Sequence, residues 1–119
     1  MLYGGGGRGG GYDMVLVVGG VCQGKYAFAK SLSDDVVRDF HEQVRLCMSG
    51  GGDAWELMRD ALREHPHGVF TMAELGCGLV PADRSEREYR EMAGRISCAL
   101  AREAAEVYRV CCGIAVRIK

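Results

Sequence analysis

The feature that most constrains the fold is an aliphatic run that leads directly into a glycine-rich segment, VLVVGGVCQGKY at residues 15–26. Met14 to Val18 are all apolar and mostly β-branched, which is typical of a strand buried on both faces, as in a parallel sheet covered by helices. Lys25 to Leu32 then places apolar residues at helical spacing. A strand, a glycine-rich turn and a helix in this order predict one βα unit of an α/β protein.

The glycine-rich turn has the spacing of a phosphate-binding Walker A loop, Gly19-x4-Gly24-Lys25. In such a loop the backbone amides turn inward around a phosphate, the helix N-terminus points at the same place, and the lysine adds a full positive charge. We predict that GTP or ATP binds here and that Lys25 also has a catalytic role. The predicted nucleotide-binding residues are Gly19, Gly20, Val21, Cys22, Gln23, Gly24, Lys25 and Tyr26. The alternative is a simple strand-to-helix turn with an exposed lysine.

Tyr26 departs from the motif, because Walker A loops have Ser or Thr at this position and use its hydroxyl to bind Mg²⁺. A phenol oxygen at the end of a long ring cannot occupy the place of a hydroxyl one bond from Cβ. Mg²⁺ must then be held through water, by other groups, or not at all. The sequence assigns no metal ligand, and it supports binding better than turnover.

Periodicity predicts the remaining elements. A second helix should run from Val36 to the glycines at 50–52, and a third should begin at Asp53 with a capping box. A short strand at Val69 to Met72 should precede a long helix that opens at Ser85. The chain should close with strands at 107–112 and 114–119. We therefore predict a three-layer P-loop α/β fold with a small, mostly parallel sheet, as a single domain at residues 14–119 after a flexible glycine-rich leader at 1–13.

Charge and composition exclude some functions. The 119-residue chain has a formal net charge of -1, with acidic and basic residues interleaved, so no nucleic-acid partner is expected. No apolar run approaches the roughly 20 residues of a membrane span. Six cysteines without a CxxC pair favour reduced thiols in the cytoplasm. Cys111 and Cys112 lie in an apolar segment, which favours a role as small buried hydrophobes over a redox pair.

Glu74 directly follows the predicted strand Val69 to Met72. Ligands of open α/β sheets collect at the carboxyl ends of strands, so Glu74 should lie near the phosphate loop. It could orient metal-bound water or take a proton from an attacking hydroxyl, or it could cap the amides of the loop. His65 and His67 flank a proline; a solvated turn is the simpler interpretation, and a metal pair is the alternative.

Four segments, at residues 73–81, 89–95, 104–108 and 113–119, resemble the adenosylcobinamide kinase/adenosylcobinamide-phosphate guanylyltransferase family of cobalamin biosynthesis. They read AELGCGLVP, YREMAGR, AAEVY and GIAVRIK, and the phosphate loop follows the first strand as in that family. The resemblance is good over residues 14–32 and 69–119 and poor between them.

The resemblance implies a P-loop oligomer that phosphorylates the hydroxyl of adenosylcobinamide and transfers GMP from GTP through a histidine. It matches Gly19, Gly20, Gly24 and Lys25 to the phosphate loop, and Glu74, Gly76, Gly78 and Pro81 to a glutamate loop. It also suggests a second site with Asp39, Arg90 and Arg95. His41 lies in no matching motif. We therefore expect a nucleotide-dependent kinase or nucleotidyltransferase, or alternatively a non-catalytic nucleotide- or corrinoid-binding partner subunit.

Overall fold

The computed structural model describes residues 12–20, 24–74 and 83–119. Residues 1–11, which form most of the predicted leader, lie outside the described part, as do 21–23 and 75–82. Tyr12 packs against the core, and the amide of Asp13 donates to the carbonyl of Pro66 at 2.9 Å. These two residues, which we included in the leader, are thus held by the domain.

The described residues form five strands and four helices. The strands are β1 (Val15–Gly19), β2 (Val36–Val37), β3 (Val69–Ala73), β4 (Glu106–Cys111) and β5 (Ile114–Arg117). The helices are α1 (Lys25–Leu32), α2 (Phe40–Ser49), α3 (Ala54–Glu64) and α4 (Arg84–Glu103).

The strands form one sheet in the order β2-β3-β1-β4-β5. β1 lies in the centre and pairs in parallel with β3 and β4, whereas β5 pairs with β4 in the antiparallel direction. The predicted α/β fold with a small, mostly parallel sheet is therefore confirmed.

Two apolar clusters lie on opposite faces of the sheet and give the three layers. On one face, α2, α3 and α4 cover a cluster that includes Leu16, Phe40 and Phe70. On the other face, α1 contributes Ala29 to a smaller cluster with Val17. Neighbouring residues of a strand point to opposite faces, so a central strand with helices on both sides is apolar throughout. This explains the continuous aliphatic run of β1.

The prediction that the second helix begins at Val36 is wrong, because Val36 and Val37 form β2. They pair in parallel with Val69 and Phe70 of β3. Asp39 then adopts a left-handed conformation with φ 54° and the helix begins only at Phe40. Two β-branched valines beside an exposed sheet edge gain more from pairing with β3 than from extending the helix.

The start of the long helix also differs from the prediction. Asp83, not Ser85, is the N-cap of α4, and its side chain accepts a hydrogen bond from the amide of Ser85. The buried stripe of α4 consists of Tyr89, Ala93, Ile96, Ala99 and Leu100.

The expectation that Cys111 and Cys112 are buried hydrophobes is wrong, because both residues are exposed. They lie where β4 turns into β5, with Cys112 and Gly113 both at positive φ, as a two-residue hairpin turn requires. Their sulfur atoms are 4.0 Å apart. Both residues lie outside the two apolar clusters of the sheet, so their thiols are at the surface.

Within residues 12–20, 24–74 and 83–119, no helix has both the length and the apolar character needed to span a bilayer.

Candidate functional site

The carboxyl ends of β1 and β3 lie side by side, as expected for the ends that flank a ligand site. Gly19 is in register with Ala73, and the amide of Glu74 donates to the carbonyl of Gly19 at 2.8 Å. The first residue of the Walker A spacing and the predicted catalytic carboxylate are therefore joined through the backbone. This confirms that the two strand ends lie close together.

The local structure explains both glycines of the Walker A spacing. A Cβ on Gly19 would lie 2.4 Å from the carbonyl oxygen of Val110, on the neighbouring strand β4. Gly24 has φ 92° and is the N-cap of α1, and a Cβ there would lie 3.4 Å from Cα of Gly113. The left-handed conformation favours glycine at position 24. The close approach of β4 excludes any side chain at position 19.

Lys25 is the first residue of α1 and is 93% buried, since its relative exposure is 7%. Its Nζ donates a hydrogen bond of 2.7 Å to the carbonyl of Gly20, within the predicted phosphate loop. This position contradicts the alternative of a turn with an exposed lysine. Val21, Cys22 and Gln23 lie outside the described residues, so the inward turn of their amides stays a prediction.

Tyr26 does not present its hydroxyl as a Walker A serine or threonine would. The guanidinium carbon of Arg38 lies 4.1 Å from the centre of the Tyr26 ring, in a cation–π contact. The Nε of Arg38 also lies 3.8 Å from a carboxylate oxygen of Asp39. An arginine that follows β2 is thus placed against the first turn of α1.

Glu74 lies at the end of β3 and forms a two-point ion pair with Arg109 of β4. Nη2 of Arg109 donates to Oε1 at 3.0 Å, and Nε lies 2.9 Å from Oε2. Both carboxylate oxygens are therefore engaged with one guanidinium, a geometry that fixes the orientation of both side chains. The ion pair bridges the C-terminal ends of the strands on either side of β1. Gly76, Gly78 and Pro81 of the predicted glutamate loop lie outside the described residues.

Asp39 follows β2 and lies at the same edge of the sheet. Its amide donates to the hydroxyl of Thr71, a fully buried residue of β3, at 2.7 Å. This bond supports the left-handed conformation of Asp39, which is uncommon for a residue with a side chain. β2, which the sequence analysis did not predict, ends two residues before Asp39 and so brings Asp39 to this edge.

His41 is a buried polar residue in the first turn of α2. Its Nδ1 accepts a hydrogen bond of 3.0 Å from the amide of Ala73, and its backbone carbonyl accepts one from the Tyr89 hydroxyl. Burial lowers the pKa of the His41 imidazole below its ordinary value, against the opposing effect of Glu42. Asp39 raises this pKa and Lys25 lowers it, so the charges of both reach the ring.

We expect the stability of the fold to decrease on acidification because of His41. Its pKa is lower in the folded protein than in the unfolded chain, so the unfolded state binds more protons between the two values. The neutral ring therefore stabilises the fold above the unfolded pKa of about 6.5, and this contribution is lost as the pH falls towards the folded value. Protonation would also place an N–H of His41 against the amide of Ala73.

Urea denaturation from about pH 8 to about pH 5 tests this pH dependence. His41→Gln should flatten the decrease in unfolding free energy. His67→Gln, at an exposed position beside Asp13, serves as the control and should leave the decrease unchanged. An equal decrease in the wild type and in His41→Gln would show that another group is responsible.

Arg90 and Arg95 do not join Asp39 in a second site through the contacts that the structure shows. Arg90 pairs with Glu86 and Arg95 with Glu91, each four residues earlier on α4. Glu86 also accepts two hydrogen bonds from Arg45 of α2. The contacts of Arg90 and Arg95 thus stabilise α4, and Glu86 also links α4 to α2.

His65 and His67 each face a different carboxylate. Nδ1 of His65 lies 2.7 Å from Asp35, and Nδ1 of His67 lies 3.3 Å from Asp13. Among the described residues there is no group of three or more His, Cys, Asp or Glu side chains arranged to hold a metal ion. Both histidines lie before β3, at the sheet edge opposite to the phosphate loop.

The sequence did not predict a role for three residues near the edge of the sheet where the phosphate loop begins: Arg38, His41 and Arg109. A weak signal existed for Arg109, since it is a single charged residue within the otherwise apolar run Val107 to Cys112. Arg38 could be recognised as a residue of the site only once β2 was known, because the residue after a parallel strand lies at the edge where ligands bind. His41 follows shortly after it.

Sequence comparisons link the chain to known proteins. A family model described as "Cobinamide kinase / cobinamide phosphate guanyltransferase" matches residues 52–118, more than half of the chain. The matched part includes Glu74 and Arg109, whereas the phosphate loop precedes it.

Two curated relatives carry the name "Bifunctional adenosylcobalamin biosynthesis protein CobU", from Salmonella typhimurium and Escherichia coli. Each is 45% identical over 51 residues, which is 43% of this chain and 28% of the relative. The alignment thus spans little more than a quarter of the length of either relative. On the extent of the family match, the chain belongs to the cobinamide kinase / cobinamide phosphate guanyltransferase family.

Proposed function

We propose that this protein is a nucleotide-dependent kinase of cobalamin biosynthesis that transfers a phosphoryl group from GTP or ATP to the hydroxyl of adenosylcobinamide. The observation that carries the proposal is the buried Lys25, whose ammonium group lies at the Gly20 carbonyl beside the central strand. A buried ammonium group is costly unless it has strong partners. Family membership supports the corrinoid substrate.

In this proposal the two substrates occupy distinct places. The triphosphate would lie at the N-terminus of α1, where the helix dipole and Lys25 both favour negative charge. The acceptor hydroxyl would approach from the side of Glu74 and Arg109, which bridge the ends of β3 and β4. In the reaction the acceptor oxygen bonds to the γ-phosphorus, the bond from that phosphorus to the β-phosphate oxygen breaks, and a nucleoside diphosphate leaves.

Glu74 is the proposed acceptor of the hydroxyl proton. In the structure both of its oxygens contact Arg109, so one of them has to leave that ion pair to reach the substrate. Arg109 would then remain available for the charge that develops on the transferring phosphoryl group. Arg109 is accordingly proposed as a second functional residue of this site.

Mg²⁺ fits poorly at the position where a Walker A loop binds it. The Tyr26 ring packs against the guanidinium of Arg38, so the residue offers no hydroxyl close to Cβ and brings a cation in its place. We therefore assign no metal ligand among the described residues and derive no step through the ion.

Lys25→Ala should lower nucleotide affinity by about a hundredfold, since it removes a charge-assisted contact to the phosphates. Calorimetry with GTP and ATP measures the affinity, and incubation with adenosylcobinamide and nucleotide measures transfer. Lys30→Ala changes an exposed lysine of the same helix, paired with Asp34, and should bind as the wild type does. Unaltered binding by Lys25→Ala would contradict the assignment of the phosphate loop.

The alternative function is a non-catalytic subunit that holds a nucleotide or corrinoid for a partner protein. Tyr26 favours this alternative, because it replaces the hydroxyl residue of active Walker A kinases. Binding that depends on Lys25 but is accompanied by no phosphorylated corrinoid would select it. Transfer that is lost in both Lys25→Ala and Glu74→Gln would select the kinase.

Self-association is also part of the proposal, through the edge strand β5. Ile114, Val116 and Ile118 are all more than half exposed on or directly after this strand, an unusual concentration of aliphatic surface. We expect sedimentation of the wild type to show an oligomer and Val116→Lys to shift it towards monomer. A wild type that sediments as a monomer at high concentration would contradict self-association.

A cytoplasmic location is proposed from the cysteine content alone.

A further inference from the structure

We propose that Arg38 is a phosphate-binding residue, held in place by Tyr26, and that it supplies at the phosphate loop the positive charge that Mg²⁺ supplies in Walker A proteins with Ser or Thr at this position. The ligand class is a polyphosphate anion. This inference rests on the proposed nucleotide site and extends it to a residue outside the Walker A motif.

The position of Arg38 follows from the sheet. Arg38 comes directly after β2, whose two residues pair with the start of β3, so the chain that follows β2 runs towards the carboxyl edge. The next residue, Asp39, is anchored there by the hydrogen bond from its amide to Thr71. Because Asp39 is fixed in a left-handed conformation, the direction of the chain at Arg38 is fixed as well.

The contact with Tyr26 then orients the side chain. The guanidinium carbon lies 4.1 Å from the ring centre, over the face of the aromatic ring. Tyr26 is the residue after Lys25, so the guanidinium group stacks on the first turn of the helix that the phosphate loop enters. A stacked guanidinium keeps donors at its edge for bidentate contacts to phosphate oxygens, because stacking uses only its flat face.

The charged groups around Arg38 favour the binding of an anion over the binding of a metal ion. Lys25 is buried at the loop, and its charge reaches His41, three residues after Arg38. Asp39 offers a single carboxylate, which Arg38 already approaches at 3.8 Å. A divalent ion placed where the hydroxyl residue of a Walker A loop binds it would therefore face the charges of Lys25 and Arg38, and the carboxylate of Asp39 is already paired with Arg38. A triphosphate placed there would instead be neutralised by both cations.

The test measures triphosphate affinity in EDTA and in Mg²⁺ by calorimetry, with GTP and inorganic tripolyphosphate as probes. We expect the wild type to bind both probes in EDTA, and Arg38→Ala to lose about tenfold to a hundredfold in EDTA, as expected for a charge-assisted contact. Tyr26→Ala should lower the affinity in EDTA by a similar factor. Tyr26→Phe keeps the ring and should retain most of the affinity of the wild type. Tyr26→Ser should bind weakly in EDTA and tighten in Mg²⁺.

Arg59→Ala, at an exposed position of α3, removes one positive charge elsewhere on the surface and should bind as the wild type does. Thermal unfolding of each variant without ligand separates a binding defect from a folding defect. Equal affinity of Arg38→Ala and the wild type in EDTA would overturn the role of Arg38 while leaving the nucleotide site intact. Failure of the wild type to bind either probe, with or without Mg²⁺, would overturn both the nucleotide site and this inference.

Discussion

Phe40→Ala should destabilise the protein by about 3–5 kcal/mol, as expected for truncation of a fully buried phenylalanine. Phe40 has no exposed surface, and its ring packs edge-on against Phe70 of β3 with centroids 5.5 Å apart. The loss combines the transfer free energy of the ring, the cavity left behind and the aromatic contact itself. It is a large part of the roughly 5–15 kcal/mol that stabilises a typical domain.

Urea denaturation provides the measurement, with the midpoint expected to fall and the slope to stay constant. Leu46→Ala is the matched control, because Leu46 lies on the same helix and is 73% exposed. It should change the unfolding free energy by no more than about 0.5 kcal/mol. A small effect of Phe40→Ala would show that α2 does not pack on β3 as the structure has it.

The same substitution also addresses the site. Phe40 is the first residue of α2, between Asp39 and His41, so its ring anchors the short segment that carries both residues. We expect Phe40→Ala to weaken nucleotide binding even at temperatures where the protein remains folded. Leu46→Ala should have no such effect.

Gly19→Ala is expected to produce the second large effect, at the end of the central strand. A Cβ at this position would lie 2.4 Å from a backbone oxygen of β4, closer than atoms can approach. The backbone of a paired strand cannot rotate away as a side chain can, so the cost should reach or exceed the roughly 1–3 kcal/mol typical of overpacking. Relief requires β1 and β4 to separate at their C-terminal ends, where the phosphate loop begins.

Gly94→Ala provides the contrasting glycine. Gly94 lies in α4, and a Cβ there would meet no described atom within 4 Å beyond the backbone of its own helix and its chain neighbours. Alanine should therefore stabilise the helix by about 0.5–1 kcal/mol. Thermal unfolding of the two variants should shift the midpoint in opposite directions. A Gly19→Ala variant as stable as the wild type, with unchanged nucleotide binding, would contradict the close approach of β4 to β1.

Much of the fold was predictable because its signals are local. The aliphatic run of β1, the helix Lys25–Leu32 and the stripe of α4 each follow from a period of apolar residues within one segment. The two valines of β2 were assigned to a helix because a strand of two residues has no period of its own. Only the adjacent edge of β3 identifies it as a strand.

The part of the candidate site that lies within one motif was predictable from the sequence. The part that the sheet brings together from distant segments was not. The spacing of Gly19, Gly24 and Lys25 is a property of one short run of successive residues. The ion pair of Glu74 with Arg109 joins residues 35 positions apart, and it exists because β3 and β4 flank the same strand. No local pattern predicts that strand order, and so none predicts the pair.

The central place of β1 has a consequence for biosynthesis on the ribosome. Val15 pairs with Val69 on one side and with Glu106 on the other, so the first of the described strands gains both of its neighbours only after two much later strands have been translated. Sheets assembled from such distant partners form slowly, and their unpaired strands are exposed meanwhile. The C-terminal end of β1, where the phosphate loop begins, therefore takes its final place only after β4 has been translated.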